Sequence, residues 1–305
     1  MSNVVNSKNA FVSIVGRANV GKSSLLNALV GERIAAVSNK PQTTRTKITG
    51  VLTNGETQYV FMDTPGMHKA KNKLSEHMLK AVNDTVADGD IIILVVDCTK
   101  RISENETVLI NNFKASKSKV ILALNKIDLL SEKADVIRKI EEYSVLYDFI
   151  EVVPISVINS DGLDILMNAV SKLAVDGPHF FPDDTLTDQP EKVIMAEIIR
   201  EKALANLDEE IPHGIAVSIE ELKERDLRSG EGILDISAVI YCEKDSHKGI
   251  VIGKNGAMLK KIGSDSRAEL EKFFQIKINL QCWVKVKEGW RNREGIIKNF
   301  GLSVK

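Results

Sequence analysis

The chain has 305 residues, 43% of them apolar and 27% charged, which excludes a disordered or fibrous chain and suits two domains with separate cores. No apolar run approaches the roughly 20 residues that span a bilayer, and the opening MSNVVNSKNA lacks the basic start and apolar stretch of a secretion signal, so a cytoplasmic protein is expected. The formal net charge of −1 hides an asymmetry: residues 244–305 hold 14 Lys and Arg against 6 Asp and Glu, a balance of +8, leaving 27 against 36, or −9, for residues 1–243. Only the C-terminal part is therefore matched to a polyanionic partner. Cys98, Cys242 and Cys282 are far apart, with neither a C-x-x-C pair nor metal spacing, and read as reduced core residues.

Over 11–175 the short apolar runs FVSIVG, YVFMD, DIIILVVD, VILALNKID and FIEVVPIS alternate with helix-like segments at 22–30, 73–86, 103–116, 134–147 and 162–173. The alternation predicts a parallel sheet with helices on both faces and a ligand edge at the strands' C-terminal ends. The first strand runs into GRANVGKS, a G-x-x-x-x-G-K-[ST] loop made of Gly16, Arg17, Ala18, Asn19, Val20, Gly21, Lys22 and Ser23, with Ser24 continuing into the helix. Its glycines let backbone N–H groups curl around phosphates, Lys22 adds a charge, and the helix contributes its positive end. Ser23 offers a hydroxyl to Mg2+. The strand YVFM then delivers Asp63, placed to meet the magnesium directly or through water, followed by Thr64, Pro65 and Gly66, whose N–H approaches the γ-phosphate. The next residue is Met67, where many nucleotide hydrolases carry a water-orienting Gln; a thioether cannot orient water, so something else has to. Asn125, Lys126 and Asp128 end the next strand as NKID. Asp128 accepts from both N1–H and the exocyclic amine of guanine, a donor pair adenine lacks, which selects GTP over ATP. A further strand ending PIS brings Ser156 and the N–H of Val157 to the base and its O6.

Residues 176–190, DGPHFFPDDTLTDQP, carry three prolines, four aspartates and no apolar periodicity. They divide the chain into a first domain at 1–178, a linker at 179–190 and a second domain at 191–305. The second reads α-β-β-α-α-β-α: a helix at 191–206, strands near 214–223 and 233–243, two helices around 255–274, a strand at 276–287 and a helix from about 292. IVIGKNGAMLKKIG, 250–263, sets Gly253, Lys254, Asn255 and Gly256 between an apolar segment and an amphipathic helix. The two glycines permit close approach of a nucleic-acid backbone, and Lys254 with the helix N-terminus favours phosphate. Ile250, Ile252, Leu259 and Ile262 flank the loop as candidate groove residues, the last two better suited to helix-on-sheet core. Lys260 on the helix joins the RNA-contact candidates. WVKVKEGWRNRE, 283–294, interleaves Trp283 and Trp290 with basic residues; alternation sets Lys285 and Lys287 on one strand face, available to RNA phosphates, while Trp290 suits either core or a base-stacking platform.

With GRANVGKS, DTPG and NKID in place, residues 8–175 resemble the translation-factor-related branch of P-loop GTPases, departing from it at Ser156-Val157, where that branch usually has Ser-Ala. KPQTTRTKITG at 40–50 looks like its first switch loop. The resemblance implies that Thr43 or Thr44 closes on Mg2+ and the γ-phosphate; the choice stays open, with Thr44 carried beside Lys22, Asp63 and Gly66 as a catalytic candidate and beside Ser23 and Asp63 as a Mg2+ ligand. The GKNG loop and element order resemble a type II KH domain. A GTPase domain followed by a KH domain ending WVKVKEGWR resembles, over nearly the whole chain, the Era family of bacterial ribosome-assembly GTPases. The resemblance implies an α/β P-loop GTPase domain, mostly parallel in its sheet with helices on both faces, followed by an α+β type II KH domain. It implies GTP and GDP as ligands with Mg2+, slow hydrolysis, and K+ held through Asn19. It further implies binding to single-stranded small-subunit rRNA near its 3′ end, a role in 30S subunit biogenesis, a monomer, and partial association with the cytoplasmic face of the membrane. The alternative keeps the GTPase and makes the basic module a protein or membrane-surface adaptor.

Overall fold

The segment IIILVVD is buried along its whole length, which requires a strand covered on both faces. In the computed structural model, which describes residues 7–38, 40, 43–66, 72–207, 211, 214–226 and 232–302, it is the fourth of the strands β1 (Lys8–Val15), β2 (Ile48–Asn54), β3 (Thr57–Asp63), β4 (Ile91–Asp97), β5 (Val120–Asn125) and β6 (Glu151–Ile155), ordered β2-β3-β1-β4-β5-β6. From β3 to β6 the neighbours are parallel. Helices α1 (Lys22–Val30), α2 (Lys73–Asp88), α3 (Glu104–Ser116), α4 (Lys133–Ser144) and α5 (Leu163–Ser171) separate them. Leu25, Leu26, Leu166 and Val170 pack with Ile14 and Ile93 in one cluster; Leu109, Phe113 and Tyr143 pack with Ile92, Leu94 and Leu122 in another. Two clusters drawn from alternate residues of β4 are the two faces of the sheet.

Three features of this sheet and the segments on it depart from the sequence reading. The stretch 40–50, expected as loop throughout, gives Ile48–Gly50 to β2, which pairs antiparallel with β3. Asn54-Gly55, with Gly55 at φ 60°, supplies the tight turn between them. A two-residue strand β7 (Val175–Asp176) adds antiparallel to the start of β1. The expected linker is fastened down: the Gln58 carboxamide donates to Phe181 O at 2.9 Å and accepts from the amides of Phe180 and Phe181, and Val51 N donates to Leu186 O.

The chain divides into two compact units, one made of Met1–Ala35, Thr44–Lys69 and Met78–Asp188, the other of Ala36–Thr43, Ala70–His77 and Gln189–Lys305. In the second unit α6 (Glu191–Asn206), β8 (Ala216–Asp226), β9 (Gly232–Cys242), α7 (Asp245–Ile252), α8 (Ala257–Phe274), β10 (Lys277–Val286) and α9 (Glu294–Asn299) follow the expected order. β9 lies centrally, antiparallel to β8 and parallel to β10. Of the two helices expected around 255–274, the first instead spans 245–252, and Gly253 and Gly256 break the chain before the second. Ile194, Met195 and Ile198 of α6 pack with Ile236 and Ile240 of β9, Val251 of α7, and Ile262 and Leu270 of α8. Each such side chain contributes about 1.5–3 kcal/mol by leaving water. Trp290 is fully buried and donates from Nε1 to Gly214 O at 2.9 Å, so it belongs to the core and not to a stacking platform.

Candidate functional site

The two motif glycines of the loop after β1 are required for different reasons. Gly16 has φ 149°, and a Cβ would lie 2.3 Å from Val95 O; Gly21 has φ 104°, and a Cβ would lie 2.3 Å from Asn125 Nδ2. Any side chain would push the loop off β4 or off the NKID loop. Lys22 is buried and donates to Arg17 O at 3.0 Å, across the loop it closes. Burial lowers its ammonium from the ordinary value, opposed by Asp63.

β3 carries Asp63 to the same place. Ser23 Oγ lies 2.6 Å from Asp63 Oδ2 and 2.7 Å from Thr44 Oγ1, and Thr44 Oγ1 lies 3.5 Å from Asp63 Oδ2. The adjacent Thr43 turns away, its hydroxyl donating to Lys40 O at 2.7 Å. Asp63 is fully buried, and burial raises its carboxyl to about 6 against the opposing pull of Lys22 and Ser23. Its Oδ1 has no hydrogen-bond partner among the described residues. Two hydroxyls and a carboxylate whose Oδ1 is left unpaired among the described residues fit a small divalent cation. Thr64 Oγ1 donates to Ile14 O at 3.0 Å, which ties the strand end to β1. Gly66 sits against the phosphate loop, where a Cβ would lie 2.6 Å from Ala18 Cα. Met67 lies outside the described residues.

The base end is assembled around Asn125, which joins three loops: its Nδ2 donates to Val20 O at 2.8 Å, and its Oδ1 accepts from Lys126 N at 2.8 Å and Val157 N at 3.2 Å. The Val157 amide, expected at the base O6, thus has an acceptor in Asn125. Ser156 donates to Asp128 Oδ1 at 2.5 Å, so it fixes the orientation of that carboxylate. Lys126, in the left-handed region at φ 71°, reaches back to Asn19 O at 2.9 Å and to Asp97 Oδ2 at 2.7 Å. Asp97 and Glu106, which lies 3.9 Å from Arg17 Nε, are supporting residues that the motif search missed. Asp97 stands at a strand's C-terminal end as Asp63 does, and Glu106 closes a capping box with Ser103.

In the second unit Gly253 (φ 72°) and Gly256 (φ 77°) bracket Lys254 and Asn255, and both middle residues are exposed. Gly256 caps α8 at its N-terminus, so the loop presents a helix end and a cation side by side. Lys260, Lys285 and Lys287 are exposed, and Ile252 is half-buried. Ile250 is 50% exposed and Trp283 58%, whereas Ile262 is core and Leu259 packs against it.

A profile of the family described as 50S ribosome-binding GTPase matches residues 11–126, and a KH-domain profile matches 210–291. The chain is 50% identical over 298 residues to GTPase Era of Clostridioides difficile strain 630, covering 98% of this chain and 99% of that protein. It is 49% identical over 294 residues to GTPase Era of Ruminiclostridium cellulolyticum, covering 96% and 97%. Its structure is similar to that of Era in complex with MgGDPNP and nucleotides 1506–1542 of 16S ribosomal RNA, with TM-score 0.93 and 35% identity over 98% of this chain and 100% of that one. It is also similar to a variant of Aquifex aeolicus Era bound to GDP and AlF4−, with TM-score 0.92 and 35% identity over 97% and 100%.

Proposed function

The chain belongs to the Era family of GTPases, and on that premise we propose that it is a GTP-driven switch whose KH domain binds single-stranded RNA near the 3′ end of small-subunit rRNA during 30S subunit biogenesis. The observation that carries the switch is the meeting of Ser23, Thr44 and Asp63, within 3.5 Å of one another, with an orphaned carboxylate oxygen in a buried site. The relative solved with MgGDPNP and a 16S rRNA segment supports both halves of the reading.

Ser23, Thr44 and Asp63 would hold Mg2+, which supplies charge neutralisation at the β- and γ-phosphates. Lys22 and the N–H groups of residues 16–24 cradle the phosphates. Thr44 and the Gly66 N–H respond to a γ-phosphate, and their closure or release distinguishes GTP from GDP. Asp128, oriented by Ser156, selects guanine. Lys254, Asn255 and the α8 N-terminus meet the RNA backbone, Ile252 with the half-exposed Ile250 offers the apolar groove wall, and Lys260, Lys285 and Lys287 add sequence-independent attraction.

Met67 gives no water-orienting group, and the reading assigns charge compensation to K+ held through Asn19. A monomer in the cytoplasm, touching the membrane peripherally, completes the proposal; among the described residues no helix is long and apolar enough to cross a membrane. Single-turnover GTP hydrolysis, measured in K+ and in Na+ with and without RNA, tests the catalytic part. Slow turnover that rises in K+ is expected; identical rates in the two salts would remove the K+ role, and no turnover even with RNA would reduce the protein to a binding switch.

A further inference from the structure

Lys126 and Asp97 have no part in the nucleotide contacts proposed above, yet they join the phosphate loop to the guanine loop. Asp97 ends β4 and is only 7% exposed. A carboxylate is costly to bury unless its oxygens are employed. Its Oδ1 accepts from Thr99 N at 3.0 Å and from Thr99 Oγ1 at 2.6 Å, which leaves Oδ2 for Lys126 Nζ, 2.7 Å away. The same ammonium donates to Asn19 O at 2.9 Å. Lys126 has φ 71° and Asn19 φ 64°, a backbone region that residues with a Cβ seldom enter. Both ends of this link are thus held in conformations that need support from their surroundings. Asn19, Asp97, Thr99 and Lys126 all lie in the first unit.

A second bond runs beside the first: Asn125 Nδ2 donates to Val20 O at 2.8 Å. Two successive carbonyls of the phosphate loop, those of Asn19 and Val20, are therefore turned toward the NKID loop. In a planar trans peptide the N–H points opposite to the C=O. Holding these two carbonyls consequently faces the amides of Val20 and Gly21 the other way, as a phosphate cradle requires. We infer that Asp97 is a positioning residue for the nucleotide's diphosphate: through Lys126 it holds the Asn19–Val20 peptide so that the Val20 amide is presented to the phosphates. Asn125 fixes the next peptide directly, whereas Asp97 acts through one intervening side chain. The inference rests on the reading of residues 16–24 as the phosphate cradle, and the experiment separates the two.

The full chain carrying Asp97→Asn, Lys126→Met, both, or Lys22→Met is compared with wild type in affinity for GDP, a non-hydrolysable GTP analogue and inosine diphosphate, with melting temperature as the folding control. Asp97→Asn exchanges a charge-assisted bond for a neutral one. It should weaken GDP and the GTP analogue alike, about tenfold, because both carry the same diphosphate. Inosine lacks the exocyclic amine that Asp128 accepts from, so the ratio of GDP to inosine diphosphate affinity reads the base site alone. That ratio should stay within about twofold of wild type, which a general loosening of the base site would not allow. In the Lys126→Met background Asp97→Asn should cost nothing further, because Asp97 acts through Lys126. Unchanged GDP affinity in Asp97→Asn, a collapsed ratio, or additive losses in the double variant would overturn the inference while leaving the cradle in place, provided that Lys22→Met binds GDP weakly. A Lys22→Met protein binding GDP as wild type does would overturn the cradle reading and this inference with it. Should Asp97→Asn not fold, Thr99→Val removes one of the bonds that orient the same carboxylate and should weaken GDP about threefold at a constant ratio; unchanged affinity there overturns the inference as well.

Discussion

Replacing Gly66 by Ala should separate GTP binding from GDP binding. Gly66 is absent from the residues with left-handed backbone, so the substitution introduces no torsional strain and acts through space alone. The added methyl would stand 2.6 Å from Ala18 Cα and 2.7 Å from its N, where ordinary contact begins at 3.4 Å. Both neighbours are backbone, so relief requires the Gly66 segment to retreat by about 0.8 Å, against carbon contacts that settle near 3.5–4.0 Å. A hydrogen bond of about 2.9 Å from the residue 66 amide to a γ-phosphate oxygen would then stretch to about 3.7 Å, beyond effective range. Losing a bond to a charged acceptor costs about 1.5–3 kcal/mol, which is about 10- to 150-fold in affinity. GDP offers no γ-phosphate and should bind within about twofold of wild type. Titration of fluorescent GDP and of a fluorescent GTP analogue, with melting temperature as the folding control, measures the ratio. A Gly66→Ala protein of normal stability with an unchanged GTP-to-GDP ratio would refute the placement of Gly66 at the γ-phosphate.

Asp128→Asn removes one of the two acceptors facing guanine and turns a donor toward its N2 amine, so GTP affinity should fall about 100-fold or more while xanthosine triphosphate gains. Unchanged GTP affinity would refute the base-pairing role. Trp290→Phe leaves Gly214 O without the donor it has at 2.9 Å and opens space in a filled core. It should lower unfolding stability by about 2–4 kcal/mol, read as a shift in denaturation midpoint without a change in slope; a change below about 0.5 kcal/mol, the scale of ordinary surface substitutions, would contradict the burial of the indole.

The nucleotide pocket was legible because phosphate and base chemistry demand particular residues at strand ends. Gly16 and Gly21 announce themselves by spacing, and each proves to have no room for a Cβ; Asp63 and Asp128 stand where β3 and the NKID loop deliver them. What the sequence obscured was the sharing of groups between loops. Nothing in PISV says that the Val157 amide will meet Asn125, since that depends on how two separate loops approach. Arg200 looks like one more charge on an amphipathic helix, and its burial against Thr43 follows only from the folded second unit. The hairpin β2–β3 was hidden because a switch-like stretch ran into it, although Asn54-Gly55 marks its turn. α7 was missed for a local reason: DSHKGIVI contains Gly249 and lacks an apolar face in its first turn, so propensity argues against the helix that packing onto β9 and β10 enforces.

The claim that nucleotide state controls RNA binding through the KH loop is tested most directly by the affinity of the full chain for a single-stranded 3′-terminal fragment of small-subunit rRNA. It should be measured with GDP and with a non-hydrolysable GTP analogue, for wild type and for a double variant carrying Lys254→Asp and Asn255→Asp. These two positions are exposed, and Asn255 has φ 52°, which Asp tolerates. Gly253→Asp would confound the result, because a Cβ there meets Met258 at 2.7 Å. Affinity about tenfold tighter with the GTP analogue, a typical scale for coupling between sites, and abolished in the double variant, is the predicted result. Equal affinity in both nucleotide states, retained by the variant, would contradict it.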